Sequence, residues 1–191
     1  VGMDWFDAIC HSFSTIAIGG FSTHDASMGY FNSPAINMVC VFFLIISGVN
    51  FALHYAAVHS RSILIYIRDP EFKAFISIQV TLTLICFYVL MRTLTYEEPE
   101  VAMDQALFQA VSIGTTAGFT TTDFSSWPVF LPILLIFASF IGGSAGSTGG
   151  GLKVIRIVLL YLQGVREINR LIHPKAIYSI KLGRKALPDK V

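Results

Sequence analysis

From Pro34 to Val58 the chain runs for 25 residues without an Asp, Glu, Lys or Arg, and from Ala74 to Met91 for another 18. Few folds accept such stretches. About 20 apolar residues make a helix that crosses a bilayer, and inside hydrocarbon only helices and closed barrels satisfy every backbone N–H and C=O. A third apolar stretch starts near Pro128 and continues to about Gln163, interrupted by Gly142 to Gly151. Composition points the same way: 54% of the 191 residues are hydrophobic and 13% charged. Soluble domains carry about 25% charge, so this surface could not be that of a soluble globule. A disordered chain, a nucleic-acid binder with a basic face and most cytosolic enzymes are thereby excluded. The expected class is an all-α integral membrane protein.

Charge placement orients the spans. Twelve of the thirteen Lys and Arg residues fall in 59–73 and 153–191, and only Arg92 lies elsewhere. In a three-crossing arrangement these two segments share one side, which the positive-inside rule makes the cytoplasm. Eight of the twelve acidic residues lie on the other side, so a cation approaching from outside meets a negative surface. The chain begins Val1-Gly2 with no charged, apolar leader, and reads as an internal piece of a longer protein. Cys10, Cys40 and Cys86 sit among large apolar residues without metal-binding spacing, and are expected to be free thiols.

Two shorter apolar segments remain on the outer side, Trp5 to Ala17 and Val101 to Thr115. Their periodicity is helical, yet at 1.5 Å per residue each spans only ~20 Å, too short to cross. Each runs at once into Gly, Ser and Thr, the pattern of a helix that enters the membrane and returns as a loop. Such backbone survives at membrane depth only when buried in protein or lining water. The two segments align without gaps at an offset of 98 residues. Ala8 matches Ala106, Ser14 matches Ser112, Gly20-Phe21 matches Gly118-Phe119, Thr23 matches Thr121 and Asp25 matches Asp123. The register continues through Pro34 and Pro132, Phe42 and Phe140, Gly48 and Gly146. Repeats in membrane proteins commonly surround a shared axis.

The loops read Ile16-Ala17-Ile18-Gly19-Gly20-Phe21-Ser22-Thr23 and Gly114-Thr115-Thr116-Ala117-Gly118-Phe119-Thr120-Thr121. A potassium ion that sheds its water needs substitute oxygens, and successive backbone carbonyls supply them when they point to one axis. Glycine reaches the required dihedrals cheaply. The short helix before each loop directs its partly negative C-terminal end at the cation. A pair of glycine-rich turns that merely close helical hairpins is the plainer alternative; the repeated position of the two loops argues against it.

Asp7-Ala-Ile-Cys-His-Ser-Phe-Ser-Thr-Ile-Ala-Ile-Gly-Gly-Phe-Ser-Thr23, Thr115-Thr-Ala-Gly-Phe-Thr-Thr-Thr-Asp-Phe124 and Gly142-Gly-Ser-Ala-Gly-Ser-Thr-Gly-Gly-Gly-Leu-Lys153 together resemble the Trk/Ktr/HKT family of potassium transport proteins. The resemblance implies repeated helix–pore loop–helix units in a pseudo-fourfold, K⁺-channel-like architecture. Residues 1–58 are then the pore helix, filter loop and inner helix of a second repeat, and 59–73 a cytoplasmic link. Residues 74–163 are the complete third repeat, and 164–191 a link towards a fourth. The implied filter residues, binding K⁺ through backbone carbonyls, are Ile18, Gly19, Gly20, Phe21, Thr116, Ala117, Gly118 and Phe119. The implied partners are the remaining repeats of the same protein, a cytosolic nucleotide-binding ring subunit, a second copy in a homodimer and the lipid bilayer, with no nucleic acid. The implied location is a bacterial plasma (inner) membrane. No covalent chemistry is expected. The alternative is the ion-binding membrane subunit of an ATP-driven K⁺ pump.

Gly142, Gly143, Gly146, Gly149, Gly150 and Gly151 interrupt the third stretch. An interior Gly costs a helix ~1 kcal/mol relative to Ala, so the helix is expected to melt here. Close helix packing through small residues is one reading. A phosphate-cradling loop fails on spacing, because Leu152 separates Gly151 from Lys153 and no Ser or Thr follows. A flexible intramembrane gate below the filter is the reading the resemblance favours. His11, His24 and His54 are expected to be hydrogen-bonded structural residues. Asp25 and Asp123 either attract cations or bond the loop backbone. The basic tail from Arg166 to Lys190 reads as a solvated link, an anionic-lipid contact or a docking surface, of which the resemblance favours the last.

Overall fold

The computed structural model describes residues 2–172 and the strand pair Lys181–Leu182 and Lys185–Ala186, which is antiparallel. The remainder of the basic tail and most of the link from 173 onward lie outside the described residues.

Helix α1 (Trp5–Ile16) is the first short segment, and α6 (Pro99–Gly114), opened by Pro99 in its first turn, is the second. Both ends fall within about two residues of the expected ones. Helix α5 (Pro70–Arg92) has 23 residues, about 35 Å of rise, enough for a ~30 Å hydrocarbon core. It starts four residues earlier than the apolar run suggests. Asp69 caps it, accepting the Phe72 N–H at 2.7 Å, and Pro70 supplies a preset φ in the first turn.

The first long run departs from expectation. It is not one span but two helices, α2 (Pro34–Gly48) and α3 (Phe51–Ser60), bent by 91° at Val49–Asn50. Asn50 is the cause that can be named: it leaves the helical region, and its side chain caps α3 by accepting the Ala52 N–H at 2.8 Å. A short helix α4 (Leu64–Arg68) fills most of the link between α3 and α5. Among the described residues only α5 is long and apolar enough to cross a membrane unbroken; α2 with α3 adds a second span if counted together. The third run breaks where the glycines require it, into α7 (Phe130–Ile141) and α8 (Val154–Ile172).

Helix α6 sits at the centre, packed against α5, α2 and α7. Its Ala102, Ala106, Phe108, Gln109, Ala110, Val111 and Ser112 are all buried, whereas α1 leaves Trp5, Phe6, Ile9 and Phe13 exposed. The difference follows from neighbours. Helix α5 covers α6, and no described helix covers α1 in the matching position. Cys40 and Cys86 are buried free thiols as expected, and Cys10 is a half-buried one.

Candidate ion-pathway site

The two loops share three matching backbone hydrogen bonds. After α1, the N–H groups of Ala17, Ile18 and Gly19 donate to the carbonyls of Phe13, Thr15 and Ser14 at 2.9, 3.1 and 2.8 Å. After α6, those of Thr115, Thr116 and Ala117 donate to Val111, Ile113 and Ser112 at 2.9, 3.0 and 2.8 Å. Every pair is related by the offset of 98. The backbone then alternates in hand at matching positions: φ is +52° at Ile18 and +69° at Gly20, +73° at Thr116 and +87° at Gly118, and is not positive at Gly19 or Ala117. A β-branched residue with positive φ is a real outlier, and such strain persists only where the surroundings hold it. Ile18 and Thr116 occupy this strained conformation twice over, in register.

The loops also touch. A Cβ on Gly20 would come within 2.9 Å of the Ala117 carbonyl carbon, and nearer still to its oxygen. On Gly118, its repeat partner, a Cβ would meet nothing within 4 Å. The phenylalanines show the same directional difference. Phe119 is fully buried in the cluster of Met28, Ile36, Cys40 and Leu44, and its carbonyl accepts the Ser112 hydroxyl at 2.7 Å. Phe21 is 82% exposed. The second loop thus leans on elements that follow the first, a head-to-tail contact whose operator is not its own inverse.

Side chains brace the returning arms equivalently. Thr23 donates to Asp7 Oδ1 at 2.7 Å, and Thr121 to Gln105 Oε1 at 2.5 Å, again 98 residues apart. His11 bonds the Asp7 carbonyl and the Ser22 hydroxyl, while Gln109 at the matching position donates to the Thr122 carbonyl at 3.2 Å. His24 bonds Asp7 Oδ2 at 3.0 Å and stacks on Tyr30. His54 spans the Tyr66 hydroxyl and the Ile46 carbonyl. The three histidines are therefore structural in the sense expected. Bonds from His24 and then Thr23 hold the Asp7 carboxyl below its ordinary value. Asp123 caps a 3-10 turn by accepting the Ser125 N–H at 3.0 Å, and the Ser125 side chain, then this amide, hold its carboxyl below the ordinary value. For Asp123, backbone bonding is thus observed.

The glycine-rich segment is an ordered loop folded back beneath both loops. Its neck is narrow: a Cβ on Gly151 would lie 2.9 Å from the Gly142 Cα. Thr148 donates to the Ile16 carbonyl at the end of α1 at 2.9 Å, and the Gly150 N–H donates to Thr116 Oγ1 at 2.7 Å. A Cβ on Gly149 would sit 2.9 Å from the Thr115 carbonyl oxygen. The bend between α2 and α3 also contacts the loop. The Ser144 N–H donates to the Gly48 carbonyl at 2.8 Å, and the Phe51 N–H to the Gly146 carbonyl at 3.1 Å. The backbone groups freed where one inner helix breaks are satisfied by the loop that breaks the other. Gly48 and Gly146 are repeat partners, but α7 ends at Ile141, five residues earlier in the repeat than the end of α2 at Gly48, so Gly146 lies inside the loop.

Paired re-entrant helices, each ending in a loop of alternating hand, the second packed among α5, α2 and α7, define a multi-pass membrane protein of the pore-loop class. The match to known proteins is specific. The TrkH family model, described as a cation transport protein, matches residues 2–191, and the chain belongs to that family. The chain is 65% identical over 192 residues to the Trk system potassium uptake protein TrkH of Vibrio parahaemolyticus, covering all of this chain and 40% of that protein. It is 60% identical to TrkH of Escherichia coli K12 (39% of that protein) and 38% identical to TrkG of the same strain. The crystal structure of the potassium transporter TrkH from Vibrio parahaemolyticus superposes with a TM-score of 0.95, covering 99% of this chain and 41% of that one. The chain thus spans about two fifths of the length of these relatives.

Proposed function

We propose that this chain forms two of the four quadrants of a potassium-uptake pathway, with Ile18 to Phe21 and Thr116 to Phe119 as filter segments. The observation that carries the reading is the alternation of backbone hand at Ile18, Gly20, Thr116 and Gly118. Alternating hand turns successive carbonyls towards one side, where they replace the hydration shell of a cation. Ile18, Gly19, Gly20, Thr116, Ala117 and Gly118 offer these carbonyls to the ion. Phe119, its carbonyl held by Ser112 and its ring buried, anchors the second loop, and Phe21 does so for the first against a preceding repeat. The head-to-tail contact of Gly20 with Ala117 supports a ring completed by the remaining repeats of the full-length protein.

The loop of Gly142, Gly143, Gly146, Gly149, Gly150 and Gly151 is the gate in this reading. It lies at the inner ends of both filter loops, so ions leave the filter only when it moves. Residues 1–58 and 74–163 act as the second and third repeats, and 59–73 and 164–191 as cytoplasmic links. The protein works in the bacterial inner membrane as a homodimer, with a cytosolic nucleotide-binding ring subunit biasing the gate. K⁺ is cargo, and no covalent step is involved. Influx of K⁺, Rb⁺ and Na⁺ through the full-length protein, wild type against Gly118→Ser, tests the filter. A positive φ at Gly118 disfavours any Cβ, so the serine variant loses K⁺/Na⁺ discrimination. Unchanged discrimination contradicts the assignment.

A further inference from the structure

The contacts of the glycine loop with the filter loops and with the α2–α3 bend are all made by backbone groups or hydroxyls. Two ionisable side chains hold it as well. Glu71, in the first turn of α5, is buried, and its Oε1 accepts the Ala145 N–H at 2.6 Å. Lys153, immediately before α8, donates its ammonium to the Gly149 carbonyl. The tip of the loop is thus gripped at two peptide groups four residues apart, the N–H by an anion and the C=O by a cation. Each grip matches the sign of the dipole end it holds, which makes both bonds charge-assisted.

The frame behind the grips is helical. Asp69 caps α5 two residues before Glu71, which lies in the first turn of that helix. The buried carboxylate thus sits at the partly positive N-terminus of α5. The charged groups acting on Glu71 are Asp69 and Lys153. Lys153 itself is a non-glycine residue at φ +75°, and its backbone N–H donates to the Ile141 carbonyl across the neck. A non-glycine residue at positive φ persists only where its surroundings hold it, so the junction of loop and helix is a constrained point.

We infer that Glu71 and Lys153 form a two-charge latch that sets how much of the time the glycine loop is docked under the filter. They are positioning residues: neither belongs to the filter, and each acts through the loop. The inference rests on the gating reading above. The loop has no apolar side chain between Gly142 and Gly151 except that of Ala145 to fix one packing. The balance between docked and released loop therefore depends on polar contacts, and charged ones are the strongest.

The test uses the full-length protein, without any partner, in liposomes. Glu71→Ala and Lys153→Met should each raise basal K⁺ influx by on the order of tenfold, the scale of one charge-assisted hydrogen bond. Glu71→Gln, which keeps an acceptor oxygen without the charge, should fall between wild type and Glu71→Ala. A second readout reports the loop directly. Ser144 is buried in the docked loop, so a Ser144→Cys reporter should react faster with a thiol reagent in either latch variant. Variants with wild-type expression and Tm but unchanged influx and unchanged labelling overturn the latch, as does reduced influx with unchanged labelling. If Glu71→Ala does not fold, Lys153→Met with the same two readouts decides. Deleting Gly146 to Gly149 separates the two ideas. Faster influx in the deletion but not in the latch variants refutes the latch and leaves the gate. No increase in the deletion refutes the gate, while faster Ser144→Cys labelling in Lys153→Met still establishes the hold on the loop.

Discussion

Gly20→Ala is the smallest change that separates a filter from a pair of turns. The added methyl meets two penalties. The first is conformational: φ at Gly20 is +69°, and placing an L-residue there costs about 1–2 kcal/mol. The second is steric. The new Cβ would lie 2.9 Å from the Ala117 carbonyl carbon, against the ~3.5–4.0 Å at which carbon atoms rest. One loop must retreat on the order of 1 Å from the other. The first loop is bonded to the end of α1 through Gly19 and Ile18, and the second to α6 through Ala117 and Thr116, so neither retreats freely. The displaced group is the Ala117 carbonyl, an ion ligand on this account. Strain of about 1.4 kcal/mol acting differently on two bound ions is a tenfold change in their ratio, so the K⁺/Na⁺ influx ratio should fall by roughly tenfold. The assay is paired K⁺ and Na⁺ influx on purified full-length protein, with Tm as the folding control. A variant that folds normally and keeps both its rate and its ratio would refute the reasoning.

Thr148→Val removes the hydroxyl bonds to Ile16 and Ser47 and should raise basal K⁺ influx several-fold without altering ion preference, measured in the same assay. Ser112→Ala unties the buried Phe119 carbonyl; about 1–3 kcal/mol of lost stability is expected, read as a lower Tm, with selectivity falling as the second loop loosens. Cysteines at Glu98 and Ser60, both exposed, should label with impermeant reagents from opposite sides of the membrane, Glu98 outside; labelling from one side overturns the three-crossing topology. Asp7 has its carboxyl lowered by His24 and Thr23, so its contribution is complete above the ordinary value of 3.8 and disappears as pH falls through the lower folded value. Asp7→Asn should therefore lower Tm at neutral pH and lose that effect in strong acid.

The short helices and their loops were legible because their boundaries are chemical events. Pro99 opens α6, and Gly, Ser and Thr crowd in where both helices stop. The offset of 98 residues carried the pairing of Gly20 with Gly118, and the backbone shares three bonds and the alternation of hand at that offset. The 91° bend was hidden inside an apolar run, since hydropathy measures burial and not direction. Two signals for it were present, Asn50 as a helix cap and the register of Gly48 with Gly146, the latter in a segment already known to break. Glu71 left no local signal. Its partner is a backbone amide 74 residues away, and a backbone group has no residue type to recognise. The lean of the second loop onto the first repeat was equally silent, because Phe21 and Phe119 are the same residue and only their neighbours differ.

The central claim is that the two loops present a shared line of carbonyls to a monovalent cation. A crystal structure of the full-length protein soaked in Rb⁺ or Tl⁺ tests it directly through anomalous scattering. The account predicts peaks on the axis between Ile18–Gly20 and Thr116–Gly118, above the glycine loop and lost when Na⁺ replaces the heavier ion. Anomalous density elsewhere in the membrane region, with none between these loops, would contradict it.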